Sequence, residues 1–160
     1  MPKKYLPVHI LGMFLCGFVL QFSYRASGGA AWSLLISSLN RSPWELTKPF
    51  LLVYIFWSFI ELSCHRPHLL HYVCAKILSL HLFCWLSLLT LSGLSLFTTQ
   101  EYIFQGGILL CLTFSELLFR RWYVSRCRFE LFFLPLLLSF ILLFSCLLFC
   151  SLYPLPLPFF

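Results

Sequence analysis

Five predominantly apolar stretches, separated by short polar breaks, set the pattern of this chain; they cover residues 5–24, 43–62, 69–91, 102–119 and 129–153. About 20 apolar residues, at about 1.5 Å each in a helix, cross roughly 30 Å of hydrocarbon, so each stretch predicts a membrane-spanning helix. The fourth is the shortest. The expected fold class is all-α: a polytopic transmembrane helical bundle of about five spans, forming a single transmembrane domain over residues 1–160. Between the first two spans, residues 30–38 include Trp32, Leu34, Leu35 and Ile36. That run is too short to cross and apolar enough to lie in the membrane interface. At the far end, prolines alternate with Leu and Phe over residues 154–160. Alternating prolines remove backbone donors and favour an extended tail over a helix.

Composition agrees with the pattern. The 160 residues are 61% hydrophobic and 10% charged, against roughly a quarter charged in soluble domains. A soluble fold of this size would lack the polar side chains to cover its outside. Lys3 and Lys4 before an apolar run also fit a signal peptide, with small residues at Ala26 to Ala31 near a possible cleavage point. The run is longer than an h-region of about 7–15 residues, so it reads as a first span.

Charge then orients the bundle. The formal charge is +6, with five acidic side chains, all Glu. With the N-terminus cytoplasmic, one side collects Lys3, Lys4, Arg66, Lys76, Arg120, Arg121, Arg126 and Arg128, and the other only Arg25, Arg41 and Lys48. The positive-inside bias predicts a cytoplasmic N-terminus and, with five spans, an external C-terminus. The segment Arg120 to Arg128 mixes basic and aromatic residues as nucleic-acid binders do. Set between two spans, it predicts an anchor on anionic lipid headgroups at the cytoplasmic face, and no nucleic-acid partner.

Eight cysteines are present, but most lie within apolar runs and none forms a Cys-x-x-Cys pair, so they read as small hydrophobes. Abundant Phe, Leu, Ser and Cys is also what a pyrimidine-rich reading frame encodes, so cysteine number carries no chemical argument. Neither a nucleophile elbow, a phosphate-binding glycine loop nor a zincin motif occurs. Glycines within the spans suit close helix packing.

Three constellations carry candidate chemistry. Ser42-Pro43-Trp44-Glu45 reads as a capping box at the start of the second span, with Ser at the N-cap, Pro at the first helical position and Glu three residues on. Lys48 is placed to pair with Glu45, and Pro49 predicts a kink. Together with Tyr24 and Asn40, the residues Ser42, Trp44, Glu45 and Lys48 form either a helix entry or an external polar site. Glu61, Lys76 and Glu116 are ionisable residues within or at the edges of spans near the cytoplasmic face, which makes them functional candidates. The plainer expectation is interface anchoring, with Glu61 paired to His65, Glu116 to Arg120, and Lys76 snorkelling. Finally, His71, Cys74, His81 and Cys84 share a broad helical face with His9 entering from the same side. His71 and His81 are thus possible metal or haem ligands, although the spacing matches no established signature and no cofactor is expected.

The stretch Gln21-Phe22-Ser23-Tyr24-Arg25-Ala26-Ser27-Gly28, followed by Leu39-Asn40-Arg41-Ser42-Pro43-Trp44-Glu45-Leu46-Thr47-Lys48 and a span ending at Glu61, resembles a family of small bacterial integral membrane proteins known only as a domain of unknown function. Its pattern is Phe-x-Tyr-x-x-Ser-Gly, then Asn-x-Ser-x-Trp-Glu-x-x-Lys, and the likeness continues more weakly through Ala75-Lys76, Thr90 to Gly93 and Glu101. Gln21, Arg41 and Leu46 stand where that family has His, Glu and His. The resemblance implies a multi-pass protein of the bacterial cell membrane and no activity. The leading expectation is a non-catalytic accessory or partner subunit, in contact with the lipid bilayer and with another membrane protein as candidate partner. The alternatives are a small transporter or membrane enzyme using the external polar site, and a haem or metal protein.

Overall fold

The computed structural model describes residues 6–28, 42–65, 69–125 and 133–152. Within them the chain is all-α: α1 (Leu6–Gln21), α2 (Ser23–Ala26), α3 (Pro43–His65), α4 (Leu69–Ser95), α5 (Glu101–Val124) and α6 (Phe133–Leu152). Three helices are long and apolar enough to cross a membrane: Pro43–Cys64, Leu69–Ser95 and Glu101–Val124. At 1.5 Å per residue, α3, α4 and α5 extend about 35, 40 and 36 Å, beyond the roughly 30 Å of a hydrocarbon core. On that ground the chain is a membrane protein.

Two expected spans come out differently. The first, expected over 5–24, is a 16-residue helix that breaks at Phe22 before α2. The Phe22 N–H turns back to the Val19 carbonyl at 3.2 Å, a tightened i→i+3 closure. Gly28, at φ +68°, then follows α2 in the left-handed conformation that only glycine adopts at little cost. The fourth stretch, shortest in the sequence, belongs to the 24-residue helix α5. Arg120 and Arg121 had closed its apolar window at Phe119, whereas the helix runs on to Val124, with Glu116 buried against Lys76 and Tyr54 of neighbouring helices. The interfacial segment 30–38, Asn40 and the tail 154–160 lie outside the described residues.

Helix α4 is central, packing against α3, α5 and α6, while α1 packs on α3 and to a smaller extent on α5. The core interleaves Met13 from α1, Phe50, Leu51 and Tyr54 from α3, Leu80, Phe83 and Leu91 from α4, and Ile108 and Leu112 from α5. Phe140, Leu143 and Phe144 of α6 pack on its edge. Large apolar side chains also cover the outside, among them Val19, Phe56, Leu89, Leu110 and Leu142. Helices apolar all round suit a lipid environment.

Several hydroxyls are satisfied by backbone carbonyls of their own helix, as suits a bilayer. Ser58, Ser87, Thr113 and Ser115 each donate to the carbonyl four residues back, at 2.6 to 2.8 Å. Close approach of α1 to α3 depends on glycine. A Cβ on Gly17 would run into the Phe50 ring, and one on Gly12 would lie 3.1 Å from Trp57.

Candidate functional site

Successive helices run in opposite directions, so one end of the bundle gathers the start of α1, the close of α3, the start of α4 and the close of α5. Each brings polar side chains at helical spacing. Tyr54 and Glu61 are seven residues apart on α3, and Tyr72, Lys76 and Ser79 follow at i, i+4 and i+7 on α4. Glu116 and Arg120 are one turn apart on α5. These spacings put each set on one face.

Those faces meet. The Lys76 ammonium lies 3.0 Å from Glu61 Oε2 and 3.0 Å from Glu116 Oε2, joining α3, α4 and α5. Its Nζ also sits 4.1 Å from the centroid of the Phe119 ring and 4.7 Å from that of Tyr54. Glu61, Lys76 and Glu116 are buried, with Glu116 wholly inaccessible. The Tyr72 hydroxyl donates to Glu61 Oε2 at 2.9 Å, and the Tyr54 hydroxyl donates to Glu116 Oε2 at 3.0 Å while lying 2.5 Å from Ser79 Oγ. Arg120 Nε approaches Glu116 Oε1 at 3.7 Å, on the margin. On the α1 side, His9 Nδ1 is 3.3 Å from Glu61 Oε1 and accepts the Trp57 indole N–H at 2.9 Å.

This corrects the interface-anchor expectation for Glu61, Lys76 and Glu116. Lys76 does not snorkel, because two carboxylates and two aromatic rings hold its ammonium more favourably than a long reach to the interface. The pairing of Glu116 with Arg120 is present. The side chain of His65 lies outside the described ones, and Glu61 instead meets Lys76, Tyr72 and His9. By helical rise, Lys76 stands about 10 Å inside the start of α4, and Tyr54 is near the midpoint of α3. The network therefore extends from one end toward the middle of the bundle.

The entry to α3 lies at the opposite end, about 24 Å away by helical rise from Glu45 to Glu61. Glu45 and Lys48 form the expected pair, 3.1 Å apart with both side chains buried. The Ser42 hydroxyl has no hydrogen-bond partner, so it does not make the side-chain contact of the expected capping box. The Ser42 carbonyl accepts the Leu46 N–H at 3.1 Å. Trp44 is half-buried, and α3 continues through Pro49. Tyr24 lies on α2, and its side chain, like all of Asn40, is outside the described part. Gln21 accepts a 2.7 Å hydrogen bond from Gln105 across α1 and α5.

The possible metal ligands do not converge. His71 and His81 are ten residues, about 15 Å, apart along α4. His71 Nε2 meets the Tyr123 carbonyl at 3.1 Å, and His81 Nδ1 meets the Ile77 carbonyl at 3.0 Å. Among the described residues no group of three His, Cys, Asp or Glu could hold a metal ion. His81 Nε2 also lies 3.0 Å from Ser139 Oγ on α6, a Ser–His contact that sequence spacing gave no reason to expect. The Ser139 hydroxyl is equally within 2.9 Å of the Leu136 carbonyl, and backbone N–H groups in a helix interior are committed to i−4 carbonyls.

Sequence reading singled out the three charges but not Tyr54, Tyr72, Ser79 or Trp57. The available signal was their helical spacing from Glu61 and Lys76. No family model matches the chain, and neither the curated proteins nor the solved structures include a match.

Proposed function

We propose that this chain is a multi-pass protein of the bacterial cell membrane, with about five spans and a cytoplasmic N-terminus, acting as a non-catalytic partner subunit of another membrane protein. One observation carries the reading: the buried charges are matched within the chain itself. Lys76 serves Glu61 and Glu116, and Lys48 serves Glu45. Lys76 used in this way ties α3, α4 and α5 together and fixes their register, while the Glu45–Lys48 pair lies within α3. The apolar exterior of α1 and α6 is then available to lipid or to a partner helix. Anionic lipid headgroups fit the basic close of α5, where Arg120 and Arg121 stand beside Trp122.

The test is quantitative purification from native membranes. A second membrane protein retained at fixed stoichiometry, and lost from the membrane when this chain is deleted, supports the reading. Transport of a solute or turnover of a lipid by the chain alone in vesicles overturns it. Such activity would favour a small transporter or membrane enzyme, with the buried Glu45–Lys48 entry to α3 as its first candidate site.

A further inference from the structure

Lys76 belongs to α4, yet the groups that hold its ammonium come from the helices on either side. Glu61 and Tyr54 stand on α3, and Glu116 and Phe119 stand on α5. Both carboxylates are also fixed by contacts that do not involve the lysine. Tyr72 donates to Glu61 Oε2 at 2.9 Å, and Tyr54, whose hydroxyl lies against Ser79 Oγ, donates to Glu116 Oε2 at 3.0 Å. Two of the three N–H donors of an ammonium are met by carboxylate oxygens, each 3.0 Å from Nζ. The Phe119 and Tyr54 rings, at 4.1 and 4.7 Å, add two π faces within the roughly 6 Å over which a ring attracts a cation. Acceptors and rings set in place by other helices make a preorganised receptor.

We infer that α3 and α5 form a primary-ammonium binding site, which Lys76 fills as a tethered ligand of the same chain, and that a short linear alkylammonium is the class of molecule it takes when the tether is removed. Charge defines the occupant. Glu61, Glu116, Lys76 and Arg120 sum to zero, so the site without its lysine carries −1 and calls for one monovalent cation.

Shape defines it further. Truncating Lys76 at Cβ removes Cγ, Cδ, Cε and Nζ, which are the heavy atoms of propylammonium. Lys76 is 2% exposed, so the space left is enclosed by the bundle and selects its guest by length as well as by charge. Methylammonium leaves part of that space empty, and pentylammonium has to push packed side chains aside; both carry a cost. Tetramethylammonium has the charge but no N–H donor, so both carboxylates stay without their hydrogen bonds. A primary amine crosses lipid as the free base and takes up its proton again before it binds. The site belongs to the bundle alone and does not depend on a partner protein.

The test is unfolding of the full chain carrying Lys76→Ala in mixed detergent micelles, titrated with methyl-, propyl- and pentylammonium chloride at constant ionic strength. The expected result is a midpoint that moves back toward the parent's and saturates, most with propylammonium, less with the shorter and longer amines, and not with sodium or tetramethylammonium. The parent, whose site is filled, should not respond. Combining Lys76→Ala with Glu61→Gln supplies a second arm: Glu116 and Arg120 then cancel, so this variant needs no guest and should ignore propylammonium. If Lys76→Ala does not fold unaided, its abundance in membranes of cells grown with each amine is measured instead and should follow the same order. A response that is absent, that is independent of amine length, or that is equal in the parent or the double variant overturns the inference.

Discussion

Replacing Lys76 with Met tests whether the ion network holds the bundle together. Methionine keeps an unbranched side chain of similar length and removes the charge shared by Glu61 and Glu116. Both Oε2 atoms lie 3.0 Å from the ammonium, so they are no more than about 6 Å apart. At an effective dielectric constant of about 20, two unit charges at that separation repel by about 3 kcal/mol. Breaking a buried pair by removing one partner costs about 3–5 kcal/mol in general, and that is the loss expected for Lys76→Met. Arg120 offsets part of the charge on Glu116, and the two tyrosine hydroxyls still donate. The assay is unfolding in mixed detergent micelles, followed by tryptophan emission. Adding Glu61→Gln to the Lys76→Met background removes one carboxylate charge and should restore about 2 kcal/mol. A single variant within about 0.5 kcal/mol of the parent would refute the account, because pairs worth that little behave as exposed ones do. A double variant with no recovery would assign the loss to packing instead of charge.

Three further outcomes follow from the geometry. Gly17→Ala places a methyl against the Phe50 ring and should destabilise by about 1–3 kcal/mol, whereas Gly93→Ala and Gly106→Ala, which meet nothing within 4 Å, should be neutral or slightly stabilising in the same unfolding assay. Tyr54→Phe removes the hydroxyl that joins Glu116 and Ser79 and should cost about 1–3 kcal/mol; an unchanged midpoint would show that the hydroxyl is dispensable. Glu45→Gln removes the carboxylate charge from the buried Lys48 and should lower membrane abundance as well as stability by about 1–3 kcal/mol. If abundance is intact while a cellular phenotype is lost, the α3 entry is a functional site and not only a structural one.

The helical bundle was legible in the sequence because a bilayer demands long apolar segments, and such segments are visible in any window of 20 residues. The pairing of Glu45 with Lys48 was legible for the same kind of reason, since it lies within one helical turn. Its burial was not, because burial depends on what the other helices place beside that turn. The break at Phe22 escaped notice, as the apolar run continues across it. In α5 the helix outran its apolar window: Glu116 looked like the approach to a span boundary and is instead turned inward to Lys76 and Tyr54, with Arg120 beside it at the margin. For His71 and His81, a shared helical face suggested convergence, while their separation along the axis sends each to a different carbonyl.

Local sequence thus determined the class of the protein, the helices and the ionisable residues worth watching. It did so because hydrophobic length and helical spacing act over a few turns. Tertiary structure decided that Glu61, Lys76 and Glu116 form one network, that Tyr54 and Tyr72 complete it, and that His9 lies beside Glu61. These contacts join residues up to 62 positions apart. No local pattern encodes them, because they arise only where four helices bring their polar faces to the same end of a bundle whose exterior is apolar.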